Sequence, residues 1–248
     1  MTGSNTPVGI AGVWDATAES GLEIKHLPPD VVHLWQRSLQ GQTVDVAQCY
    51  EVLSPEEQKR AQRYLVERPR KDFILTRATL RSLLGRYLGR SPAAISFRYS
   101  DFGKPMLDGP EDLRFNISHS DGMALLAFVR GHEIGVDVER IRAANDFKDL
   151  AKRFFSSVER ENLDRLDGDD FRAAFFRCWT RKEAYIKGKG EGLSLPLHQF
   201  DVSIRAKETW ALMATRPDAA EASRWMVCDL NFDSRYAAAV AVGMVTAQ

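Results

Sequence analysis

The sequence predicts an α+β fold made of two similar halves related by pseudo-twofold symmetry, and three observations carry that prediction. Segments of alternating or β-branched apolar residues lie between segments of helical spacing, without the regular strand–helix alternation of a parallel sheet. Phe155-Ser156-Ser157-Val158-Glu159 opens a helix much as Leu53-Ser54-Pro55-Glu56 does, 102 positions earlier. A long amphipathic segment then follows in each place, 73–88 in the first and 171–187 in the second. Element order alone suggests the repeat. One continuous α+β domain whose order repeats by chance is the alternative.

Taken in order, residues 1–20 are rich in Gly, Ser, Thr and Asn and read as a mobile lead-in. Val31, Val32, His33, Leu34 and Trp35 follow Pro28-Pro29 and read as a first strand. Ser54 is a serine N-cap, with Pro55 at the first helical position and Glu56 and Glu57 in the first turn. A second helix follows Arg68-Pro69-Arg70-Lys71, with Phe73, Leu80, Leu83, Leu84 and Tyr87 at helical spacing up to Gly89. Residues 95–99 read as a strand and Phe102-Gly103-Lys104-Pro105 as a turn. Further strands are expected at 115–117, 123–129, 134–138, 200–204 and 236–242. The divide falls near 130–135, so the halves span 21–132 and 133–248.

Composition narrows the function. The 248 residues carry 34 basic and 34 acidic side chains, so no overall field recruits nucleic acid. No apolar run approaches the roughly 20 residues that span a bilayer, and the N-terminus lacks the pattern of a secretory signal. Cys49, Cys178 and Cys228 are far apart with no C-x-x-C pair, which suits reduced thiols in a cytoplasmic protein.

Two charged clusters stand out. In Ile134-Gly135-Val136-Asp137-Val138-Glu139 the valines face a core, and Asp137 and Glu139 share the outer face about 7 Å apart. Two such acids repel unless a cation lies between them, or they simply form a solvated face. In the second cluster, Phe171, Phe175 and Trp179 descend a helix in steps of four, and the row next reaches Glu183 and Lys187. The bland account is a solvent-exposed Glu–Lys pair; an aromatic row running into ionisable groups favours a site. Three carboxylates and an ammonium suit a divalent metal that holds a phosphate ester.

Around them, Asn116, Ser118, His119 and Ser120 read as a turn rich in partners for phosphate oxygens. Basic residues gather at Arg60, Arg63, Arg68, Arg70 and Lys71, with Lys104 in the Gly-Lys-Pro turn. No GxGxxG, P-loop or nucleophile elbow is present.

The stretches Phe-Asn-Ile-Ser-His-Ser (115–120), Ile-Gly-Val-Asp-Val-Glu (134–139), Arg-Phe-Phe-Ser (153–156), Trp-Thr-Arg-Lys-Glu-Ala-Tyr-Ile-Lys (179–187) and Gly-Leu-Ser-Leu-Pro-Leu (192–197) together resemble the 4′-phosphopantetheinyl transferases. The likeness is to the larger, monomeric, surfactin-synthetase-activating (Sfp) type. It implies coenzyme A bound in a cleft between the halves, with Mg²⁺ or Mn²⁺, and transfer to a serine of an apo acyl or peptidyl carrier protein. By position it implies Asp137, Glu139 and Glu183 as metal ligands, Glu183 as general base and Lys187 near the phosphates. It places Ser118 and His119 by the 3′-phosphate region, Lys104 and Pro105 along the adenine, and Arg60 at a phosphate. The cation gripping the 3′-phosphate stays open between Arg70 and Lys71.

Overall fold

The computed structural model describes residues 8–16, 27–41, 45–143, 146–216 and 218–244. The N-terminal half runs β1 (Gly9–Asp15), β2 (Val31–Ser38), α1 (Val46–Glu51), α2 (Pro55–Gln62) and α3 (Glu67–Leu88). It continues through β3 (Phe97–Tyr99), β4 (Pro105–Leu107), β5 (Leu113–Ser120) and β6 (Met123–Arg130). The C-terminal half runs β7 (Glu133–Arg140), α4 (Phe147–Phe154), α5 (Ser157–Leu163) and α6 (Gly168–Lys189). It ends with β8 (Phe200–Val202), β9 (Leu212–Thr215), β10 (Trp225–Asp229) and β11 (Tyr236–Gly243). The architecture is the mixed α+β one expected. Among the described residues no helix is long and apolar enough to cross a membrane.

Local chemistry sets the helix limits, and it does so twice over. Ser54 Oγ accepts the Glu57 N–H at 3.3 Å, and the Glu57 carboxylate accepts the Ser54 N–H at 2.9 Å. Ser156 and Glu159 repeat this reciprocal cap at the same two distances. Each capped helix leads into a 22-residue helix, α3 or α6, stopped by a left-handed glycine: Gly89 at φ 64° and Gly190 at φ 74°. Glycine alone adopts that backbone at no steric cost.

The repeat extends into the core. The buried Glu57 carboxylate accepts from Arg77 and Arg81, and Arg81 also donates to the carbonyls of Pro92 and Ile95. The buried Glu159 carboxylate pairs with Lys182, whose ammonium donates to the carbonyls of Leu197 and Phe200. Either glutamate alone would be costly to bury; paired and hydrogen-bonded, each ties its cap to its long helix and to the following turn.

The two larger sheets have the orders β1-β2-β6-β5 and β10-β11-β7, and β3-β4 and β8-β9 form two-stranded pairs. Val32, Leu34 and Leu125 of the first meet Val136, Val138, Val240 and Val242 of the second in one apolar cluster, so the halves share a core. β5 and β7 are edge strands, and polar side chains cross between them. Asn116 Oδ1 accepts the Val136 N–H at 2.9 Å, and Ser120 Oγ accepts the Arg140 N–H at 3.2 Å. Edge groups that would otherwise lack ladder partners are satisfied in this way.

Several expectations are corrected. Part of the expected mobile lead-in is a strand, because Gly9–Asp15 pairs parallel to β2, while 1–7 and 17–20 lie outside the described residues. Trp14 anchors it against His33 and Trp35, a tertiary contact that its glycines gave no sign of. Residues 95–99 narrow to Phe97–Tyr99 after a short 3₁₀ turn at Pro92–Ala94. Asn116 to Ser120 lie within β5 rather than in a turn. Asp137 does not face solvent: it is 2% exposed. Helix α6 covers that face of β7, because Gly135 lets the backbones meet. A Cβ at 135 would lie 2.0 Å from the Ala184 carbonyl oxygen and 2.3 Å from the Gly188 nitrogen.

Candidate active site between the facing edge strands

The row Phe171, Phe175, Trp179 stacks down α6 with ring centroids 6.4 and 6.1 Å apart. One and two turns further on, Glu183 and Lys187 come to β7. Lys187 Nζ donates to Asp137 Oδ1 at 2.5 Å and to Ser118 Oγ at 2.9 Å, and Ser118 Oγ donates to the same Asp137 oxygen at 2.8 Å. Asp137 Oδ2 is buried and has no hydrogen-bond partner among the described residues. Ser120 Oγ donates to Glu139 Oε2 at 2.7 Å.

The electrostatics follow from this crowding. Burial pushes Glu183 up to about 7, the Asp137 charge adds to the rise, Lys187 opposes it, and Glu139 adds a smaller repulsion. Glu139 is also raised, chiefly by burial, against the hydrogen bond from Ser120. Loss of water around the His119 ring lowers its pKa, with Asp72 opposing and Lys187 and Arg60 reinforcing the fall.

Beside these acids opens a cleft of about 380 Å³. Arg60, Lys104, Pro105, Ser118, His119 and Lys187 all line it. Lys71 does not: it lies in a separate concavity with Gln40, Glu67 and Arg68. Lys104 is already engaged, donating to the Gly188 carbonyl at 2.7 Å and to Glu133 at 2.9 Å. Sequence reasoning missed Arg77, which lines the cleft, pairs with Glu57 and lies 4.6 Å from the Phe97 ring centroid. A signal existed: Arg77 and Arg81 interrupt the apolar face of α3, and a buried cation has to be partnered.

The sequence places Asp137, Glu139 and Glu183 on one ion. In this structure the cation at Asp137 is the Lys187 ammonium, because a carboxylate so deeply buried needs a charged partner. Among the described residues no group of three acidic, histidine or cysteine side chains is arranged to hold a metal. The donor set nevertheless fits a hard divalent cation, being all oxygen with one buried carboxylate oxygen, Asp137 Oδ2, left unsatisfied.

Cations along the walls of a cleft lined from both halves, with the acids beside it, define a site for a phosphate-bearing substrate. The chain belongs to the 4′-phosphopantetheinyl transferase superfamily. The superfamily model matches residues 133–241, and the model of the 4′-phosphopantetheinyl transferase N-terminal region matches residues 36–130.

The chain is 37% identical over 216 residues to the 4′-phosphopantetheinyl transferase HetI of a Nostoc species, covering 86% of this chain and 88% of that protein. It is 34% identical over 176 residues to a putative 4′-phosphopantetheinyl transferase of a Synechocystis species, covering 70% of each. It is also 34% identical over 152 residues to the transferase Sfp of Bacillus subtilis, covering 61% of this chain and 66% of Sfp. The protein is an enzyme of this class, transferring the phosphopantetheine group to carrier proteins, and the family's substrate is coenzyme A.

Proposed function

We propose that the chain is a transferase of the larger Sfp type that works as a cytoplasmic monomer on apo acyl or peptidyl carrier proteins. Both family regions lie side by side in one chain, which supports a site completed without a second copy. Coenzyme A lies in the cleft between β5 and α6. Arg60 and His119 face its phosphates, and Lys104 and Pro105 line the nucleotide end. The division at 132/133 coincides with the turn between β6 and β7.

The observation that carries the mechanism is Glu183, half-buried, pushed up to about 7 and set beside the Asp137–Lys187 pair. A carboxylate so placed is suited to accept the proton of a carrier serine hydroxyl. The serine oxygen then bonds to the β-phosphorus of coenzyme A as the bridging oxygen departs with adenosine 3′,5′-bisphosphate. Lys187 stabilises the charge on the phosphoryl oxygens. Mg²⁺, or Mn²⁺ in its place, held by Asp137, Glu139 and Glu183, would supply Lewis-acid polarisation of the pyrophosphate and offset the three acids.

Intact-mass measurement of apo carrier proteins after incubation with enzyme, coenzyme A and Mg²⁺ tests this. One added phosphopantetheine is expected with the natural chain, and a loss of about 100- to 1,000-fold in rate with Asp137→Ala. Unchanged transfer by that variant overturns the assignment.

A further inference from the structure

Two hydroxyls of the N-terminal half hold two acids of the C-terminal half in the same way. Ser118 and Ser120 are two apart on β5, and Asp137 and Glu139 are two apart on β7, so each pair points to one side of its strand. Ser118 Oγ gives its proton to Asp137 and receives one from Lys187. Ser120 Oγ gives its proton to Glu139 Oε2 at 2.7 Å and receives the Arg140 N–H at 3.2 Å. A hydroxyl that both donates and accepts has its orientation settled, so it can settle that of the carboxylate it serves. Glutamate has three side-chain torsions and, on an edge strand, no ladder neighbour on that side to restrain it.

We propose that Ser120 is a positioning residue that fixes the Glu139 carboxylate for a divalent cation, a role for which nothing in the resemblance or the family match singles it out. The proposal rests on the metal reading above. The strand supplying the clamp and the strand supplying the ligand belong to different halves. The aim of the acids thus depends on how the halves are joined.

Mn²⁺ binding, followed by electron paramagnetic resonance in protein saturated with coenzyme A and lacking carrier, tests it without turnover. Ser120→Ala should raise the Mn²⁺ dissociation constant about tenfold, the usual size of a lost outer hydrogen bond to a metal ligand. Ser120→Thr keeps the hydroxyl and should restore the natural affinity. Coenzyme A affinity without metal should be the same in all three proteins, while loss of the acceptor for the Arg140 N–H should lower the metal-free melting temperature of Ser120→Ala by about 2–4 °C. Natural Mn²⁺ affinity in Ser120→Ala overturns the proposal. So does a metal-independent loss of coenzyme A binding, which would place Ser120 on the nucleotide. If the natural chain itself takes up no Mn²⁺ with coenzyme A bound, the metal reading fails, and this proposal with it.

Discussion

Lys187 Nζ lies 2.5 Å from Asp137 Oδ1, joining α6 to a strand 50 positions earlier in the chain. The Asp137 side chain is 4% exposed, and Ser118 is its other hydrogen-bond donor. Lys187→Ala would leave a buried carboxylate without its cation and the phosphoryl oxygens without theirs. Transfer should fall about 100-fold or more, read as initial rate of carrier modification. A rate within a few-fold of the natural one would remove Lys187 from the mechanism.

Glu183 makes stability depend on pH, with a definite sign. Burial and the neighbouring acids hold it up to about 7, whereas an unfolded glutamate titrates near about 4.3. Between those values the folded chain keeps a proton that the unfolded chain has released. Stability therefore falls as pH rises through that window and levels off above it. Glu183→Gln removes this loss. Metal-free variant protein should match the natural chain near pH 4 and exceed it by about 1–3 kcal/mol near pH 8, by urea denaturation. Parallel pH curves for the two proteins would contradict the shift.

Gly135 tests the fit of α6 on β7. Alanine there would drive its methyl group into the Ala184 carbonyl and the Gly188 nitrogen, both backbone atoms that cannot swing aside. Gly135→Ala should cost about 1–3 kcal/mol or more and should also suppress transfer, because the helix carrying Glu183 and Lys187 has to move. Thermal melting and the mass assay read the two effects. Full activity with a normal melt would show that the helix has room.

Arg60 and Lys71 should behave differently. Arg60 stacks over Phe73, 5.1 Å from its ring centroid, and lines the cleft, whereas Lys71 sits in its own concavity. Arg60→Ala should raise KM for coenzyme A about tenfold, the loss of one charged hydrogen bond. Lys71→Ala should leave it unchanged. The reverse order would return the 3′-phosphate to Lys71.

Lys182 should matter more to stability than Arg81, because Glu57 has a second cation in Arg77. Each bridges a cap glutamate and two carbonyls, and each is buried. Lys182→Ala strands the buried Glu159 carboxylate and should cost about 3–5 kcal/mol in denaturant unfolding, whereas Arg81→Ala leaves Glu57 paired with Arg77 and should cost less. Equal losses at the two sites would contradict the supporting role of Arg77.

Much of this was legible in the sequence because it depends on neighbours in the chain. Ser54 and Ser156 cap helices through bonds reaching three residues, and Gly89 and Gly190 end helices through their own backbone freedom. The places of β5, β6 and β7 follow from runs of Phe, Ile and Val. The acids of β7 and the pair at the end of α6 were visible as candidates for the same reason, that their spacing sets which face they share. β1, β4, β9 and β10, with the short helices α1 and α4, were not foreseen: β1 is held by Trp14 against β2, and β10 by pairing along β11.

Sequence neighbours account for the caps of α2 and α5, the ends of α3 and α6, the strands β2 and β5 to β7, and the residue types from which a phosphate-handling site can be built, since each rests on torsions and contacts within a few residues. Packing between distant elements decides that Asp137 is buried, that Lys187 is its partner, that Ser118 and Ser120 donate to the acids and that Lys71 lies outside the cleft. Those outcomes depend on how closely α6 approaches β7 and on which strand edges face each other. Distances of that kind are set by packing between elements far apart in the chain, where the period of a helix or a strand carries no information.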